Sequence, residues 1–231
     1  MTEAIVLAGG LGTRLRSTVP DLPKPMAPVA GRPFLERLLE RWISQGVGRF
    51  VLSVGYRHES IRAHFGARCR GAEIDYAVEE TPLGTGGALL LATQRLRDGT
   101  DFLTMNGDTW LEVECRSLEA FHREKRADIS IAVLKNADTL RYSGVGVDAA
   151  RRVTGFGVRG AGEINGGVYL MAPGIIERAG FEAGASCSLE ADLLPRLLAG
   201  GAGVHAFPCD GRFIDIGVPE DYRRAADIMG N

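Results

Sequence analysis

Short apolar runs alternate with amphipathic stretches over the first half of the chain. Four apolar runs have the length of strands: residues 4–7, 50–54, 74–78 and 101–105. Three helix-length stretches separate them: residues 34–45, 58–65 and 85–96. The first of these carries apolar residues at the spacing of one helix face: Leu35, Leu38, Leu39, Trp42 and Ile43. This alternation predicts an α/β fold with a mostly parallel sheet covered on both faces, and ligands are expected outside the carboxyl ends of its strands.

The pattern changes after residue 117. A helix to about residue 126 and a strand over 129–134 precede a Gly-rich segment, 142–167, with short strand-like pieces, which predicts a small inserted, partly antiparallel β subdomain. The later predicted elements are a helix over 188–198 that Pro195 shortens or kinks, strands over 204–207 and 213–216, and a helix over 219–229. No linker interrupts the chain, so we predict one domain, 1–231, with lobes of about 1–115 and 116–231.

Composition restricts the class of protein. The chain of 231 residues is long enough to bury a full core, and its net charge of −2 argues against nucleic-acid and anionic-membrane partners. Its four cysteines form no CxxC pair, which favours reduced, structural thiols. We find neither a signal peptide nor an apolar run of membrane-spanning length, and therefore expect a cytoplasmic protein.

The glycine-rich stretch after the first apolar run is the main candidate for a binding loop. A strand that runs into Gly9, Gly10 and Gly12, followed by Thr13 and Arg14, is typical of a backbone that closely approaches an anion. The spacing matches neither the dinucleotide fingerprint nor a Walker A loop. Further along, Lys24 lies between Pro23 and Pro25, whose rings restrict the backbone around it. We interpret the stretch as a loop that holds a nucleoside triphosphate; a surface turn with an incidental lysine is the alternative.

Two aspartates follow predicted strands. Asp108 ends the sequence Asn106-Gly107-Asp108, and Asp215 begins Asp215-Ile216-Gly217-Val218-Pro219. Mg²⁺ commonly takes one or two carboxylates together with phosphate oxygens, so this pair suits a magnesium site beside a nucleotide. Either aspartate alone is equally typical of a turn or a cap.

Taken together, these residues resemble the sugar-1-phosphate nucleotidyltransferases. Six segments carry the resemblance, in the family's order and over essentially the whole chain: Leu7-Ala8-Gly9-Gly10-Leu11-Gly12-Thr13-Arg14-Leu15, Pro23-Lys24-Pro25, Pro82-Leu83-Gly84-Thr85-Gly86, Asn106-Gly107-Asp108, Asn165-Gly166-Gly167-Val168-Tyr169 and Asp215-Ile216-Gly217-Val218-Pro219. The resemblance implies a Rossmann-like, three-layer nucleotidyltransferase fold, with a nucleotide-binding first lobe and a sugar-phosphate-binding second lobe. It also implies a reaction of a nucleoside triphosphate with a sugar 1-phosphate that yields a nucleotide sugar and pyrophosphate.

The resemblance also assigns roles to residues. The backbone loop from Leu7 to Gly12 would hold the base and ribose, and the nucleotide-binding residues would be Leu7, Ala8, Gly9, Gly10, Gly12, Thr13 and Gly84. Arg14, Lys24 and Asp108 would be the catalytic residues. Arg14 would bind the β- and γ-phosphates, and Lys24 would bind the phosphates around the α-phosphorus. Asp108 would bind Mg²⁺ together with Asp215. Many relatives have a Glu-Lys-Pro motif whose lysine binds the sugar phosphate. Here Val158-Arg159-Gly160 takes its place, so Arg159 is the candidate cation, with Gly107, Asn165 and Glu190 as candidate sugar contacts.

Glu79 is the candidate for reading the base. Relatives read the base edge between the third strand and the Pro82-to-Gly86 loop, where this chain has Glu79 and Glu80. A carboxylate accepts two hydrogen bonds from the adjacent N1–H and N2–H donors of guanine, whereas uracil offers only N3–H. We therefore predict that Glu79 selects GTP, and we assign Glu80 to a solvated turn.

Two segments make the chain look most like the D-glycero-α-D-manno-heptose 1-phosphate guanylyltransferases, which supply polysaccharide biosynthesis: Ile164-Asn165-Gly166-Gly167-Val168-Tyr169 and Ser188-Leu189-Glu190-Ala191-Asp192-Leu193. The alternatives are a mannose 1-phosphate guanylyltransferase, a uridylyltransferase for another sugar phosphate, and a non-catalytic nucleotide-sugar sensor. A homo-oligomer is compatible with the sequence. We interpret all four histidines as structural or exposed, although Tyr56-Arg57-His58 follows a strand and is close to the expected ligand edge.

Overall fold

A computed structural model gives the fold for residues 2–10, 12–15, 18–97, 99–135, 142 and 144–230, with only the backbone of Thr13 described. Leu11 of the glycine-rich segment and the side chain of Thr13 therefore lie outside the described residues. The strands are β1 (Thr2–Leu7), β2 (Pro28–Val29), β3 (Arg32–Pro33), β4 (Val47–Val54), β5 (Arg68–Cys69), β6 (Ala72–Val78), β7 (Phe102–Asn106), β8 (Thr109–Leu111), β9 (Ile129–Lys135), β10 (Val145–Val147), β11 (Val153–Phe156), β12 (Glu163–Met171), β13 (Val204–Cys209) and β14 (Phe213–Asp215). The α-helices are α1 (Phe34–Ser44), α2 (His58–Phe65), α3 (Gly84–Thr93), α4 (Cys115–Lys125), α5 (Leu194–Ala199) and α6 (Pro219–Met229).

An eight-stranded sheet in the order β13-β9-β12-β7-β1-β4-β6-β5 forms the centre of the described structure. Strands β7, β1, β4 and β6 are mutually parallel neighbours, as their βα connections require. Their carboxyl ends, at Asn106, Leu7, Val54 and Val78, therefore meet at one edge of the sheet. This confirms the mostly parallel, Rossmann-like arrangement and defines the edge at which ligands are expected.

The sheet continues into the second half of the chain through β12, which runs antiparallel to both β7 and β9. Strand β13 then pairs parallel with β9 at the outer edge. The small inserted β piece is the antiparallel pair β10–β11. Three of the second-half strands, β9, β12 and β13, thus extend the central sheet, whereas β10, β11 and β14 belong to small two-stranded sheets.

Helices cover both faces of the sheet, and the two-residue period of β1 divides the core between them. Ala4 and Val6 face the layer that contains α1, whereas Ile5 faces the layer that contains α3 and α5. Fully buried Trp42 on α1 and Tyr169 on β12 are the largest core side chains of the two layers. No helix among the described residues is long and apolar enough to cross a membrane.

The pattern-based boundaries agree closely with the structure for most elements. The predicted helices 58–65 and 219–229 coincide with α2 and α6, and α1 ends one residue before its predicted end. The predicted helix 188–198 is a π-helical turn, Leu189–Leu193, followed by the short α5 with Pro195 in its first turn. The nine-residue strand β12 was not predicted. All four cysteines are free thiols, and burial raises the pKa values of Cys115 and Cys209 to about 12.

Candidate active site

A cavity of about 640 Å³ lies at the carboxyl ends of the parallel strands. Each strand contributes to its wall, through Leu7 at the end of β1, Gly55 after β4, Val78 at the end of β6 and Asn106 at the end of β7. The remaining lining residues come from the glycine-rich loop, the loops that follow these strands, and α3: Gly9, Gly10, Tyr56, His58, Glu79, Glu80, Thr81, Pro82, Gly84, Thr85, Ala88 and Asp108. We refer to it below as the large cavity.

The glycine-rich loop is held against its neighbours by backbone contacts. The Gly107 N–H donates to the Leu7 carbonyl at 2.8 Å, and a Cβ atom on Gly107 would lie only 2.9 Å from that oxygen. Gly12 has a φ of +58°, and a Cβ atom on it would lie 3.0 Å from Cβ of Lys24. Glycine at these two positions therefore allows the loop to approach both Asp108 and Lys24.

Lys24, Asp108 and Asp215 form one charged cluster. The Lys24 Nζ lies 2.6 Å from Asp108 Oδ2 and 3.2 Å from Asp215 Oδ1, and the lysine side chain is only 10% exposed. Pro23, with an extended ψ of 147°, leads into the 3₁₀ turn Lys24–Met26 that presents this lysine. The Gly217 N–H donates to Asp215 Oδ1 at 2.6 Å, which fixes the second carboxylate. The three residues are distant in sequence, and the fold brings all of them together.

This cluster is chemically suited to a divalent cation. Two carboxylates converge on one positive charge, and both are about one-third exposed, so each retains oxygen surface toward the ligand edge. Within the described residues, no group of three or more His, Cys, Asp or Glu side chains is arranged to hold a metal ion. A metal at this point would therefore need ligand oxygens from a bound molecule, as is usual for Mg²⁺ on nucleotides.

Glu79 extends over the glycine-rich loop inside the large cavity. Its Oε2 accepts a hydrogen bond from the Leu83 N–H at 3.0 Å, and a Cβ atom on Gly9 would lie 2.0 Å from its Oε1. Burial raises the pKa of Glu79, and the hydrogen bond from Leu83 partly offsets that rise. Glu80 also lines the cavity but is exposed.

Tyr56 and His58 also line the large cavity, and neither is among the sequence-predicted site residues. Arg57, between them, has a left-handed φ of +53° and begins α2 as its N-cap residue. The Nδ1 atom of His58 is buried and has no hydrogen-bond partner in the described part of the chain. The signal for both residues was available, because they follow β4 at the same edge at which Asp108 follows β7.

A second, smaller cavity of about 170 Å³ adjoins the first. Asn106 lines both cavities, Asp108 lines the large one, and Asp215 lines the small one. Lys24 forms ion pairs with both aspartates and therefore joins the wall of the large cavity to the wall of the small one. The other residues of the small cavity are Thr109, Tyr142, Asn165, Gly167, Glu190 and Phe213, with the rings of Tyr142 and Phe213 in an edge-to-face pair.

Asn165 organises the polar side of the small cavity. Its Nδ2 donates to the Tyr169 hydroxyl at 2.6 Å and to Glu190 Oε1 at 2.8 Å, and its Oδ1 accepts from the Gly167 N–H at 2.9 Å. Full burial, together with the negative charge of Glu190, raises the pKa of Tyr169 well above its usual range. The phenol is therefore a neutral hydrogen-bonding partner at every physiological pH.

The segment that carries Glu190 is attached to the wall of the large cavity. The Leu189 N–H donates to Thr85 Oγ1 at 2.9 Å, and the Gly86 N–H donates to the Cys187 carbonyl at 2.9 Å. A Cβ atom on Gly84, which has a φ of +69°, would lie 2.6 Å from that carbonyl oxygen. Glycine at position 84 thus allows the start of α3 to pack against the segment that carries Glu190, so the two cavities lie side by side.

Two predicted cations lie apart from the walls of these cavities. Arg14 is exposed in the 3₁₀ turn Thr13–Leu15, next to the glycine-rich loop, and Arg159 is exposed in the turn after β11. Neither lines the large or the small cavity. Of the loop residues, Ala8 is buried, and Gly10 is exposed with open space around its Cα atom.

Comparison with known proteins places this arrangement in context. The nucleotidyl transferase family profile matches residues 3–230. The D-glycero-α-D-manno-heptose 1-phosphate guanylyltransferase of Aneurinibacillus thermoaerophilus is 39% identical, with 96% of each chain covered. The mannose-1-phosphate guanylyltransferase of Mycobacterium tuberculosis is 35% identical over 98% of this chain and 64% of its own length. The crystal structure of HddC from Yersinia pseudotuberculosis, complexed with GMP-PN, superimposes with a TM-score of 0.83 at 34% identity, covering 98% of this chain and 99% of the other.

Proposed function

Since the chain belongs to the nucleotidyl transferase family, we propose that it transfers the guanylyl group of GTP to D-glycero-α-D-manno-heptose 1-phosphate, giving the GDP-sugar and pyrophosphate. The observation that carries this proposal is the position of Lys24, whose two aspartate partners each line one of two adjoining cavities. Such an arrangement suits a reaction between two bound phosphorylated substrates. The names of relatives that match over nearly the whole chain support guanylyl transfer to a heptose phosphate.

We assign the large cavity to the nucleotide. Leu7, Ala8, Gly9, Gly10, Gly12 and Thr13 form the loop that we propose for the base and ribose, with Gly84 on the opposite wall. Arg14 follows directly on this loop, and its exposed guanidinium is free to turn toward the β- and γ-phosphates. Lys24 is the cation for the α-phosphate, where negative charge develops during transfer.

We propose that Asp108 and Asp215 hold a divalent cation, Mg²⁺, together with phosphate oxygens of GTP. When bound, the metal neutralises charge on the reacting phosphates. Lys24 already holds the two carboxylates together, so the pair is organised before any substrate arrives.

The reaction needs no nucleophile from the protein. An oxygen of the sugar phosphate, already an anion at neutral pH, forms a bond to the α-phosphorus of GTP. The bond from that phosphorus to the bridging oxygen breaks, and pyrophosphate departs with the electron pair. The work of the protein is then to align the two substrates and to neutralise charge, as expected for phosphoryl-type transfer.

Glu79 is the residue that we propose to read guanine. Its Oε1 faces Gly9, while its Oε2 is fixed by the Leu83 N–H, so the carboxylate is held in position at the cavity wall. A carboxylate held in this way can accept hydrogen bonds from the N1–H and N2–H donors of guanine.

Glu79→Gln should therefore weaken GTP binding more than UTP binding, as measured by KM for each nucleotide. Equal loss for both would remove Glu79 from base reading.

We assign the small cavity to the sugar. Asn165, Glu190 and the backbone at Gly107 are the proposed contacts for hydroxyl groups, and the Tyr142–Phe213 pair offers an apolar wall. Arg159 is the proposed cation for the sugar phosphate, which requires its exposed turn to move toward the cavity. The free thiols are consistent with a cytoplasmic enzyme that supplies activated sugars for surface polysaccharides.

Pyrophosphate release from each of the four nucleoside triphosphates, measured with heptose and with mannose 1-phosphate, tests the proposal. We expect turnover with GTP and the heptose phosphate to exceed every other combination. Preferred turnover with mannose 1-phosphate would favour the second candidate function, which the mycobacterial relative supports. No GTP-dependent turnover with either sugar would refute guanylyl transfer to these acceptors.

A further inference from the structure

A third cavity, separate from the other two, lies between α1 and β8. It has a volume of about 590 Å³ and is lined by Ala30, Arg32, Arg37, Glu40, Arg41 and Trp110. It shares no lining residue with the large or the small cavity. We call it the arginine–tryptophan cavity.

The positive charge of this cavity is only partly balanced. Arg32 is paired with Glu36 at 2.6 Å and with Glu40 at 2.5 Å, and Glu40 also binds Arg70. In contrast, neither Arg37 nor Arg41 has a carboxylate of the described residues within ion-pair distance. These two arginines lie four residues apart on α1, where like charges face each other and destabilise the helix.

The partners of Arg37 and Arg41 are neutral. Arg37 donates through Nη2 to the Gly230 carbonyl, and Arg41 donates through Nη2 to the Val113 carbonyl at 3.3 Å. Each guanidinium has five N–H donors, so most of this capacity is not used by these two bonds. Neither arginine is neutralised by a direct ion pair, although the charge of Arg41 also acts on Glu112 and lowers the pKa of that carboxyl, so both guanidinium groups remain available to a bound anion.

Two buried N–H donors at this cavity lack an acceptor. The guanidinium of Arg41 lies over the Trp110 ring, with its central carbon 5.5 Å from the ring centroid. Arg41 Nε and Trp110 Nε1 are both buried and have no hydrogen-bond partner in the described part of the chain. Buried donors without acceptors lower stability, and both belong to side chains that line the cavity, so a bound anion that reaches them would supply the acceptor that the described residues do not provide.

We propose that the arginine–tryptophan cavity is a binding site for a small phosphate-bearing anion, separate from the sites of the two substrates. Arginine matches the oxygens of a phosphate in a forked geometry, and a tetrahedral group can engage Arg37 and Arg41 at the same time. The volume of the cavity is that of a small-molecule site.

The position of Trp110 connects this site to the charged cluster. Trp110 pairs with Ile214, and its neighbour Thr109 pairs with Asp215, in the β8–β14 ladder. Asp108 directly precedes β8, and its carbonyl accepts the Ile216 N–H at 3.1 Å. An anion that engages Trp110 therefore acts on the strand pair that carries both aspartates, and we expect its binding to alter the turnover of the enzyme.

Indole N–H signals in a ¹H–¹⁵N correlation spectrum of the intact protein test the proposal directly. The chain has two tryptophans, so two indole signals are expected, and Trp110→Phe identifies the one of interest. Titration with inorganic phosphate should shift the Trp110 signal saturably and leave the Trp42 signal in place, because Trp42 is fully buried and does not line the cavity. Sodium chloride at matched ionic strength is the control for screening.

Four variants locate the bound anion. Arg37→Gln and Arg41→Gln should each weaken the phosphate response about tenfold, the effect of losing one charge-assisted hydrogen bond. Arg116→Gln, an exposed arginine on α4, should leave it unchanged. Arg14→Gln should also leave it unchanged, because Arg14 belongs to the proposed nucleotide site.

Several results would overturn the proposal. The Trp110 signal would then shift without saturation, or shift equally with sodium chloride. Alternatively, Arg37→Gln and Arg41→Gln would both bind phosphate with wild-type affinity, or Arg14→Gln would abolish the shift. The wild-type titration is decisive even if a variant does not fold. Since the readout is binding and not turnover, the result does not depend on the proposed guanylyl transfer.

Discussion

At the scale of single residues, the central feature is a lysine between two aspartates. Asp108 and Asp215 would repel each other without Lys24, and the ammonium at 2.6 and 3.2 Å removes that repulsion. Because both carboxylates are partly exposed, the contact contributes less to the stability of the fold than to the arrangement of the site. The cluster is thus better explained by the chemistry it organises.

Asp108→Asn should abolish most metal-supported turnover and leave the fold intact. We expect a loss of about 100-fold or more in kcat, since a metal-held phosphate stabilises the transition state by several kcal/mol. Pyrophosphate release over a Mg²⁺ titration measures this, with circular dichroism as the check on folding. Asp227→Asn, on an exposed position of α6, is the matched control and should behave as wild type. An unchanged rate in Asp108→Asn would remove Asp108 from the metal site.

Gly9→Ala tests the contact between the glycine-rich loop and Glu79. The added Cβ atom would lie 2.0 Å from Glu79 Oε1, so the carboxylate must swing away from its position. An overpacking cost of about 1 to 3 kcal/mol corresponds to roughly 5- to 150-fold in KM for GTP. Gly99→Ala is the matched control, because no atom lies within 4 Å of its added Cβ. Wild-type KM values in Gly9→Ala would contradict the proposed position of Glu79 at the base.

The residue types of the cluster were predictable, but their contacts were not. Lys24 between two prolines and Asp108 after a strand are local patterns, whereas the Lys24–Asp215 bond joins residues 191 positions apart. A histidine after a strand is compatible with many environments, so the sequence does not decide whether Tyr56 and His58 approach a substrate. Only the fold shows that both line the large cavity.

At the scale of elements, the π-helical turn Leu189–Leu193 is the least conventional piece of the site. Ser188 caps it, with Oγ accepting the Ala191 N–H at 3.1 Å, and the Ser188 N–H donates to Asp192 Oδ2 at 2.7 Å. This capping fixes Glu190 beside Asn165. Apolar spacing over 188–198 predicts a helix there but carries no information on a widened first turn.

Ser188→Ala should loosen this turn and affect the sugar more than the nucleotide. Loss of an N-cap costs about 1 kcal/mol of stability. We expect a higher KM for the sugar phosphate and a nearly unchanged KM for GTP, from steady-state kinetics with each substrate varied in turn. Ser117→Ala, within α4 and exposed, is the control. A change confined to KM for GTP would show that the turn does not serve the sugar cavity.

Strand β12 shows the limit of pattern reading for elements. Its sequence, EINGGVYLM, holds two adjacent glycines, which are disfavoured in strands and suggest a loop. In the structure its pairing with β9 is irregular between Asn165 and Tyr169. A Cβ atom on Gly167, which has a φ of +71°, would lie 2.7 Å from Asn106 Nδ2. Gly167 therefore serves the close approach of β12 to β7, which no local pattern reveals.

At the scale of the whole molecule, buried histidines make stability depend on pH. Burial lowers the pKa of His122, whose Nδ1 lies 2.9 Å from Ser130 Oγ, and burial also lowers that of His205. In the unfolded chain a histidine takes up a proton near pH 6.5, but in the fold it does so only at lower pH. Below about pH 6.5 the unfolded state therefore binds more protons, and stability falls as pH decreases.

Urea unfolding at pH 7.5 and pH 5.5 measures this dependence. We expect a lower free energy of unfolding at pH 5.5 for the wild type, and a smaller decrease for His122→Gln, which has no titrating ring. Asp101 and Asp128 act in the opposite direction, since their charges favour the protonated ring. A decrease of the same size in His122→Gln and in the wild type would exclude His122 as its source.

The sheet explains why the overall fold was more predictable than the site. Alternating strands and helices over the first half require parallel pairing, so the ligand edge follows from element order alone. The joining of the two halves through β12 instead depends on contacts between distant segments. The proposed division of the site, with the nucleotide in the large cavity and the sugar in the small one, rests on that join.

A crystal structure of the protein with GTP and Mg²⁺, without the acceptor sugar, tests the central claim most directly. We predict guanine in the large cavity with its N1–H and N2–H on Glu79, the α-phosphate beside Lys24, and the metal on Asp108 and Asp215. The small cavity should stay open for the sugar phosphate. A base bound elsewhere, or a metal held without either aspartate, would contradict the account.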